Sequence, residues 1–152
     1  MKDPLRPAPA RRPVEILLVE DNPGDVTLLR ESIKRSRFPI HLCVVEDGEK
    51  AIDFLRRREP YLAAPRPDFI LLDLNLPRRD GFEVAQEVKR SSRLSGIPTL
   101  VLTSSNNDID RWKAVQHHLD AYLLKPQEWD QYAVLLKYLE ENWMREIRPD
   151  IP

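Results

Sequence analysis

Residues 69–77 read Phe69-Ile70-Leu71-Leu72-Asp73-Leu74-Asn75-Leu76-Pro77. The first four are apolar without alternation, so this strand is apolar on both faces. A strand of that kind belongs inside a sheet covered on both sides, which is how parallel sheets are built. The run stops abruptly at Asp73, a carboxylate at the carboxyl end of a buried strand.

Outward from that strand the same grammar repeats. Val14 to Val19 is a short apolar, β-branched run ending at Glu20-Asp21-Asn22-Pro23. Asn22 and Pro23 form a good helix start, with Asp25 in the first turn favoured by the helix dipole. Val26, Leu29 and Ile33 share the face of a first helix. Ile40 to Val45 reads as a second strand, and Asp47-Gly48 opens a helix carrying Ala51, Ile52 and Leu55. Glu59 to Pro67, with three prolines, is a surface loop. After a turn at Asp80-Gly81, Val84, Ala85 and Val88 mark a third helix. Pro98 to Leu102 is a fourth strand ending at Thr103. Ile109, Trp112, Val115 and Leu119 give a fourth helix, and Ala121 to Leu124 a fifth strand. Trp129, Tyr132, Leu136, Leu139 and Trp143 form an apolar stripe along a last helix.

Strands alternating with helices imply βαβ units with right-handed crossovers, hence an α/β doubly wound parallel sheet. Ligands of such sheets sit outside the carboxyl ends of the strands. Here those ends carry Glu20 and Asp21, then Asp73, Thr103 and Lys125. The second strand, closing at Glu46, is the exception and fits a sheet edge.

Length and composition agree with a single domain. The chain has 152 residues, 24 Lys and Arg against 25 Asp and Glu, and a net charge of -1. That balance gives no argument for nucleic acid. No apolar run approaches the roughly 20 residues of a membrane span. Cys43 is the only cysteine, so no intrachain disulfide or CxxC-type zinc site is expected, and it reads as a small core residue. His117 and His118 are adjacent on a helix and point to different faces, against a metal site there. Residues 1–13 and 146–152, marked by Pro4, Pro7, Pro9, Pro13, Pro149 and Pro152, are expected to be tails around a domain spanning 14–145. No secretory signal is visible at the N-terminus.

Three carboxylates at one rim would raise one another's pKa values. A hard divalent cation relieves that repulsion, and oxygen ligation of this kind suits Mg²⁺. Lys125 and Thr103 beside it would hold phosphoryl oxygens. Together these are the parts of a phosphoryl-transfer site in which an aspartate can be the nucleophile. Taken singly, each residue could be a helix cap or a solvated turn; taken together, that reading fails.

Leu18-Val19-Glu20-Asp21-Asn22, Leu71 to Pro77, Asp80-Gly81, Leu102-Thr103-Ser104 and Lys125-Pro126 occur in this order and spacing. With them the chain resembles the receiver domains of two-component response regulators, from about Val14 to Met144. The resemblance implies a flavodoxin-like (βα)5 fold with strand order 2-1-3-4-5. It makes Asp73 the phosphoacceptor, with Mg²⁺ held by Asp21 directly, Glu20 through water, Asp73, and the Asn75 carbonyl. Thr103 and Lys125 would hold the phosphoryl group, with the Lys125-Pro126 peptide cis. Thr103 and Tyr122 would form the switch, although a tyrosine in a strand is more often plain core.

Glu20 to Asp25, the loop at 59–67, Asp73 to Pro77 and Glu141-Asn142-Trp143 are similar to stand-alone receivers paired with phytochromes. The implied partners are a sensor histidine kinase of phytochrome type and a downstream phosphotransfer or effector protein. A homodimer through the last strand and helix is expected, with no nucleic acid and no membrane. Cytoplasmic location and the absence of an output domain are further expectations. Two other readings remain: a small aspartyl-phosphate hydrolase, disfavoured by Asn75 where such enzymes carry a second Asp, and a phosphorylation-independent scaffold.

Overall fold

The computed structural model describes residues 12–74, 76, 78, 80–103, 121–125 and 129–151. Its five strands are β1 (Val14–Val19), β2 (Ile40–Val45), β3 (Phe69–Asp73), β4 (Thr99–Thr103) and β5 (Ala121–Leu124). Among the described residues four helices follow strands: α1 (Pro23–Ile33), α2 (Gly48–Leu55), α3 (Gly81–Arg90) and α4 (Trp129–Leu139). All strand pairs are parallel, in the order β2-β1-β3-β4-β5. The expected doubly wound sheet is therefore observed, with β2 at one edge as Glu46 suggested. The expected helix through Ile109 to Leu119, with His117 and His118, lies outside the described residues.

Each strand sends alternate residues to opposite faces, and each face has its own apolar layer. Leu17, Val19, Ile70 and Leu72 pack with Ala51, Ile52, Leu55, Val84 and Val88 from α2 and α3. Ile16, Leu18, Phe69 and Leu71 pack with Leu29, Tyr132, Leu136 and Leu139 from α1 and α4. Every residue of β3 is buried, as its unbroken apolar run requires.

The helix starts follow local chemistry. The Asn22 side chain accepts from the Gly24 and Asp25 amides, with Pro23 at the first helical position. Asp47 caps α2 through the Lys50 amide, and Asp80 caps α3 through the Glu83 amide. Asp80-Gly81, read as a turn, is thus the entrance of a helix.

The last helix departs from its predicted period. α4 is continued by a π-helical turn, Glu140–Met144, and a short α-helical turn, Arg145–Ile147. A wide turn adds a residue, so Met144 rather than Trp143 is fully buried below Leu139. Trp143 is displaced to the margin, its ring 6.5 Å from Phe69 and edge-on to Tyr138 at 5.7 Å. The same turn buries Glu140, whose carboxylate accepts from Ser36 Oγ at 2.7 Å.

The C-terminal segment read as a tail and the surface loop at 59–67 both make contacts with the domain. The Arg148 guanidinium donates to both Asp150 carboxylate oxygens and to the Arg12 carbonyl at 2.7 Å, while Ile151 packs on the α1/α4 layer. Arg12 in turn makes a two-pronged pair with Asp68. In the 59–67 loop, Tyr61 stacks at a tilt on Phe54 and packs with Ala64 against the α2/α3 layer.

Candidate functional site at the carboxyl rim of the sheet

Glu20 follows β1, Asp73 ends β3, and Lys125 follows β5. Because all strands run in one direction, these positions meet at one rim. Glu20, Asp21 and Asp73 each place a carboxylate oxygen within 4.8 Å of the others. Glu20 and Asp73 are buried, and Asp21 is exposed at the mouth.

Lys125 Nζ reaches into this cluster. It lies 2.8 Å from Glu20 Oε1, 2.9 Å from Asp25 Oδ2 and 3.3 Å from Asp73 Oδ2. The Asn22 amide also donates to Glu20 Oε1, at 3.1 Å. Burial pushes the Glu20 carboxyl up to about 7, with the Asp73 charge adding to the rise and the Lys125 and Asn22 contacts opposing it. Burial would lower the lysine. Its hydrogen bonds to Glu20 and Asp25 and the charge of Asp73 outweigh that, and the ammonium is held above its ordinary value.

The close approach of α3 to this rim depends on a missing side chain. A β-carbon at Gly81 would collide with the Asp73 carbonyl oxygen and crowd the Leu74 Cα at 2.9 Å. The Gly81 amide donates to the Leu74 carbonyl at 3.1 Å, tying the helix start to the end of β3. Arg78, at a φ of 67°, brings its guanidinium within 4.0 Å of Asp47 and 3.7 Å of Glu49 at the start of α2.

Glu20, Asp21, Asp73 and Lys125 are therefore gathered as the strand ends foretold. Thr103 closes β4 and pairs in register with Leu124, and Tyr122 pairs with Val101. Asn75, Ser104 and Pro126 lie outside the described residues, and with Pro126 the expected cis peptide. Two participants were missed. Asp25 was read only as a partner of the helix dipole, yet it is a direct partner of Lys125. Tyr132, read as core, brings its hydroxyl 3.5 Å from Asp25 Oδ1. Burial and the Asp25 charge raise the Tyr132 phenol above its ordinary value. A carboxylate five residues beyond Glu20, on the first turn leaving the same rim, was the available signal for Asp25.

A parallel sheet in the order 2-1-3-4-5, with clustered acids and a lysine at its carboxyl rim, is the architecture of a receiver domain. The response regulator receiver domain family matches over residues 16–137, and the chain belongs to that family. It is 38% identical over 135 residues to the response regulator Rcp1 of Synechocystis, covering 89% of this chain and 92% of Rcp1. Identity is also 38% to the probable methanogenesis regulatory protein FilR2 of Methanothrix harundinacea, over 89% of this chain and 86% of that one. Among solved structures, the phosphorylated cyanobacterial phytochrome response regulator RcpA superposes with a TM-score of 0.81 at 39% identity, over 88% of this chain and 95% of RcpA. A Mn²⁺-bound form of Rcp1 gives 0.79, also at 39%, over 86% and 94%. Among the described residues, no helix is long and apolar enough to cross a membrane.

Proposed function

We propose that the chain is a phosphoaccepting signalling module of a two-component relay, with Asp73 as the acceptor. The observation that carries this reading is the placement of Asp73 within the Glu20 and Asp21 carboxylates, with Lys125 at 3.3 Å. An Asp73 oxygen attacks the phosphorus of a kinase phosphohistidine. The P–N bond breaks, the imidazole leaves with the electron pair, and an aspartyl phosphate forms. Attack by water on that phosphorus later returns the carboxylate and inorganic phosphate. Lys125 transfers its contacts from the carboxylates to the phosphoryl oxygens, and Thr103 at the end of β4 donates to the same oxygens.

The donor set suits a hard divalent cation: three carboxylates close together, two of them buried. Glu20, Asp21, Asp73 and the Asn75 carbonyl would hold Mg²⁺. When bound, it supplies positive charge to the phosphoryl oxygens. Phosphorylation biases a switch formed by Thr103 and Tyr122.

The partner is a cytoplasmic sensor histidine kinase. Likeness to Rcp1 and RcpA supports a kinase of phytochrome type, while equal identity to FilR2 makes kinase profiling the deciding experiment. Output passes to a downstream protein through the altered surface. A homodimer forms through β5 and α4. Leu124 on the edge strand β5 is 53% exposed, and Val134 on α4 is 71% exposed with Tyr138 one turn further along. Phosphoryl incorporation from acetyl phosphate, read by intact mass, tests the acceptor assignment.

A further inference from the structure

A second group of metal-ligating side chains lies at the opposite end of β1. In the β1–β2 register Glu15 stands opposite His41, and Leu17 opposite Cys43. Side chains two apart on a strand share a face. Glu15, His41 and Cys43 therefore project together from the face that α2 covers, at the sheet edge. His41 Nδ1 lies 2.6 Å from Glu15 Oε2, and Cys43 Sγ lies 3.9 Å from the same nitrogen. One ligand atom from each residue falls within 4.8 Å of the others. The Glu15 amide is fixed by Asp68 Oδ2 at 2.7 Å, so the strand end that presents Glu15 is braced. Its side chain is 16% exposed, Cys43 is partly buried, and the His41 side chain is 54% exposed.

A hydrogen bond joins Glu15 and His41, and Cys43, while packed against the α2/α3 layer, keeps its sulfur turned to the same imidazole nitrogen. A tetrahedral metal accounts for all three. With metal–sulfur bonds of about 2.3 Å and metal–nitrogen and metal–oxygen bonds of about 2.0–2.2 Å, ligand atoms sit roughly 3.4–3.6 Å apart. Binding would open the Glu15–His41 contact by less than about 1 Å and draw sulfur and nitrogen together by about 0.4 Å. Rotation of an exposed imidazole covers both changes.

We propose that Glu15, His41 and Cys43 form a Zn²⁺ site at the edge of the sheet, with water completing the coordination. Cys43 binds as thiolate, its proton passing to solvent. Three protein donors and an open fourth position make the site exchangeable rather than structural. The mixed oxygen, nitrogen and sulfur set selects a borderline metal and is a poor match for Mg²⁺, which favours oxygen alone. Five residues of β1, about 16 Å, separate it from the acidic rim, so the two sites are chemically and spatially sorted.

Cobalt(II) titration of the full chain in excess Mg²⁺ is the test. Cys43 is the only cysteine, so any sulfur-to-cobalt charge-transfer band reports that residue alone. The expected result is such a band, saturating at one cobalt per chain and abolished by Zn²⁺. Cys43→Ser should lose it, and His41→Gln should weaken binding by at least about tenfold, since removing even an outer partner of a metal ligand costs 10- to 100-fold. His41 is exposed, so its substitution leaves the core intact if Cys43→Ser impairs folding. Absence of the band, half a metal per chain, or a band unchanged in His41→Gln would overturn the proposal.

Discussion

Asp25 holds Lys125 at 2.9 Å, closer than Asp73 does at 3.3 Å. The lysine is thus held by Glu20 and Asp25, and a phosphoryl group on Asp73 would have to win it from them. Asp25→Asn removes one negative charge beside the incoming anion and frees the lysine. Phosphorylation by acetyl phosphate should accelerate by roughly 2- to 10-fold, an effect that shrinks as salt is added. Initial rates at low and high ionic strength check this, and an unchanged or slower rate contradicts it.

Glu20 gives the metal-free protein a pH dependence of known sign. Its carboxyl titrates near 7 when folded against 4.5 ordinarily. Between those values the folded state keeps a proton that the unfolded state has released. Stability contributed by this group is therefore full below about pH 4.5 and is lost as pH rises towards 7. In chelator, Glu20→Gln should gain on the wild type by roughly 1–3 kcal/mol across that window. Urea denaturation of both proteins at matched pH reads the difference, and a constant gap rejects the assignment.

Gly81 tests how tightly α3 is set against Asp73. An alanine there collides with the Asp73 carbonyl, so the backbone of β3 or the helix must shift. Gly81→Ala should cost about 1–3 kcal/mol of stability and slow phosphorylation. A chain equally stable in denaturant, phosphorylating at the normal rate, would show that the rim tolerates displacement.

Exposed Leu124, Val134 and Tyr138 predict association through β5 and α4. Sedimentation should show a dimer at micromolar concentration that Val134→Glu converts to monomer. A monomer at high micromolar concentration, with and without a phosphoryl analogue, removes the dimer.

Much of this was legible in the sequence for simple physical reasons. β3 announced itself because a strand buried on both faces must be apolar throughout. The parallel topology then placed Glu20, Asp21, Asp73 and Lys125 at one rim without knowledge of any side-chain contact. What stayed hidden depended on three-dimensional register. The π-helical turn shifted the buried position from Trp143 to Met144, which no fixed helical period can reveal. Asp25 looked like a complete explanation of itself as a dipole partner, since its true partner lies 100 residues away in the chain. Arg148 stands just ahead of Pro149 near the C-terminal end of the sequence, and only folding brings the Arg12 carbonyl to it.

Everything proposed for the rim rests on Asp73 accepting a phosphoryl group. Intact mass after incubation with acetyl phosphate and Mg²⁺, beside an Asp73→Asn control, tests it most directly. The expected result is a gain of one phosphoryl group that requires both Mg²⁺ and Asp73. No gain at any time from the earliest measurable point onward, or a gain that survives Asp73→Asn, would contradict it.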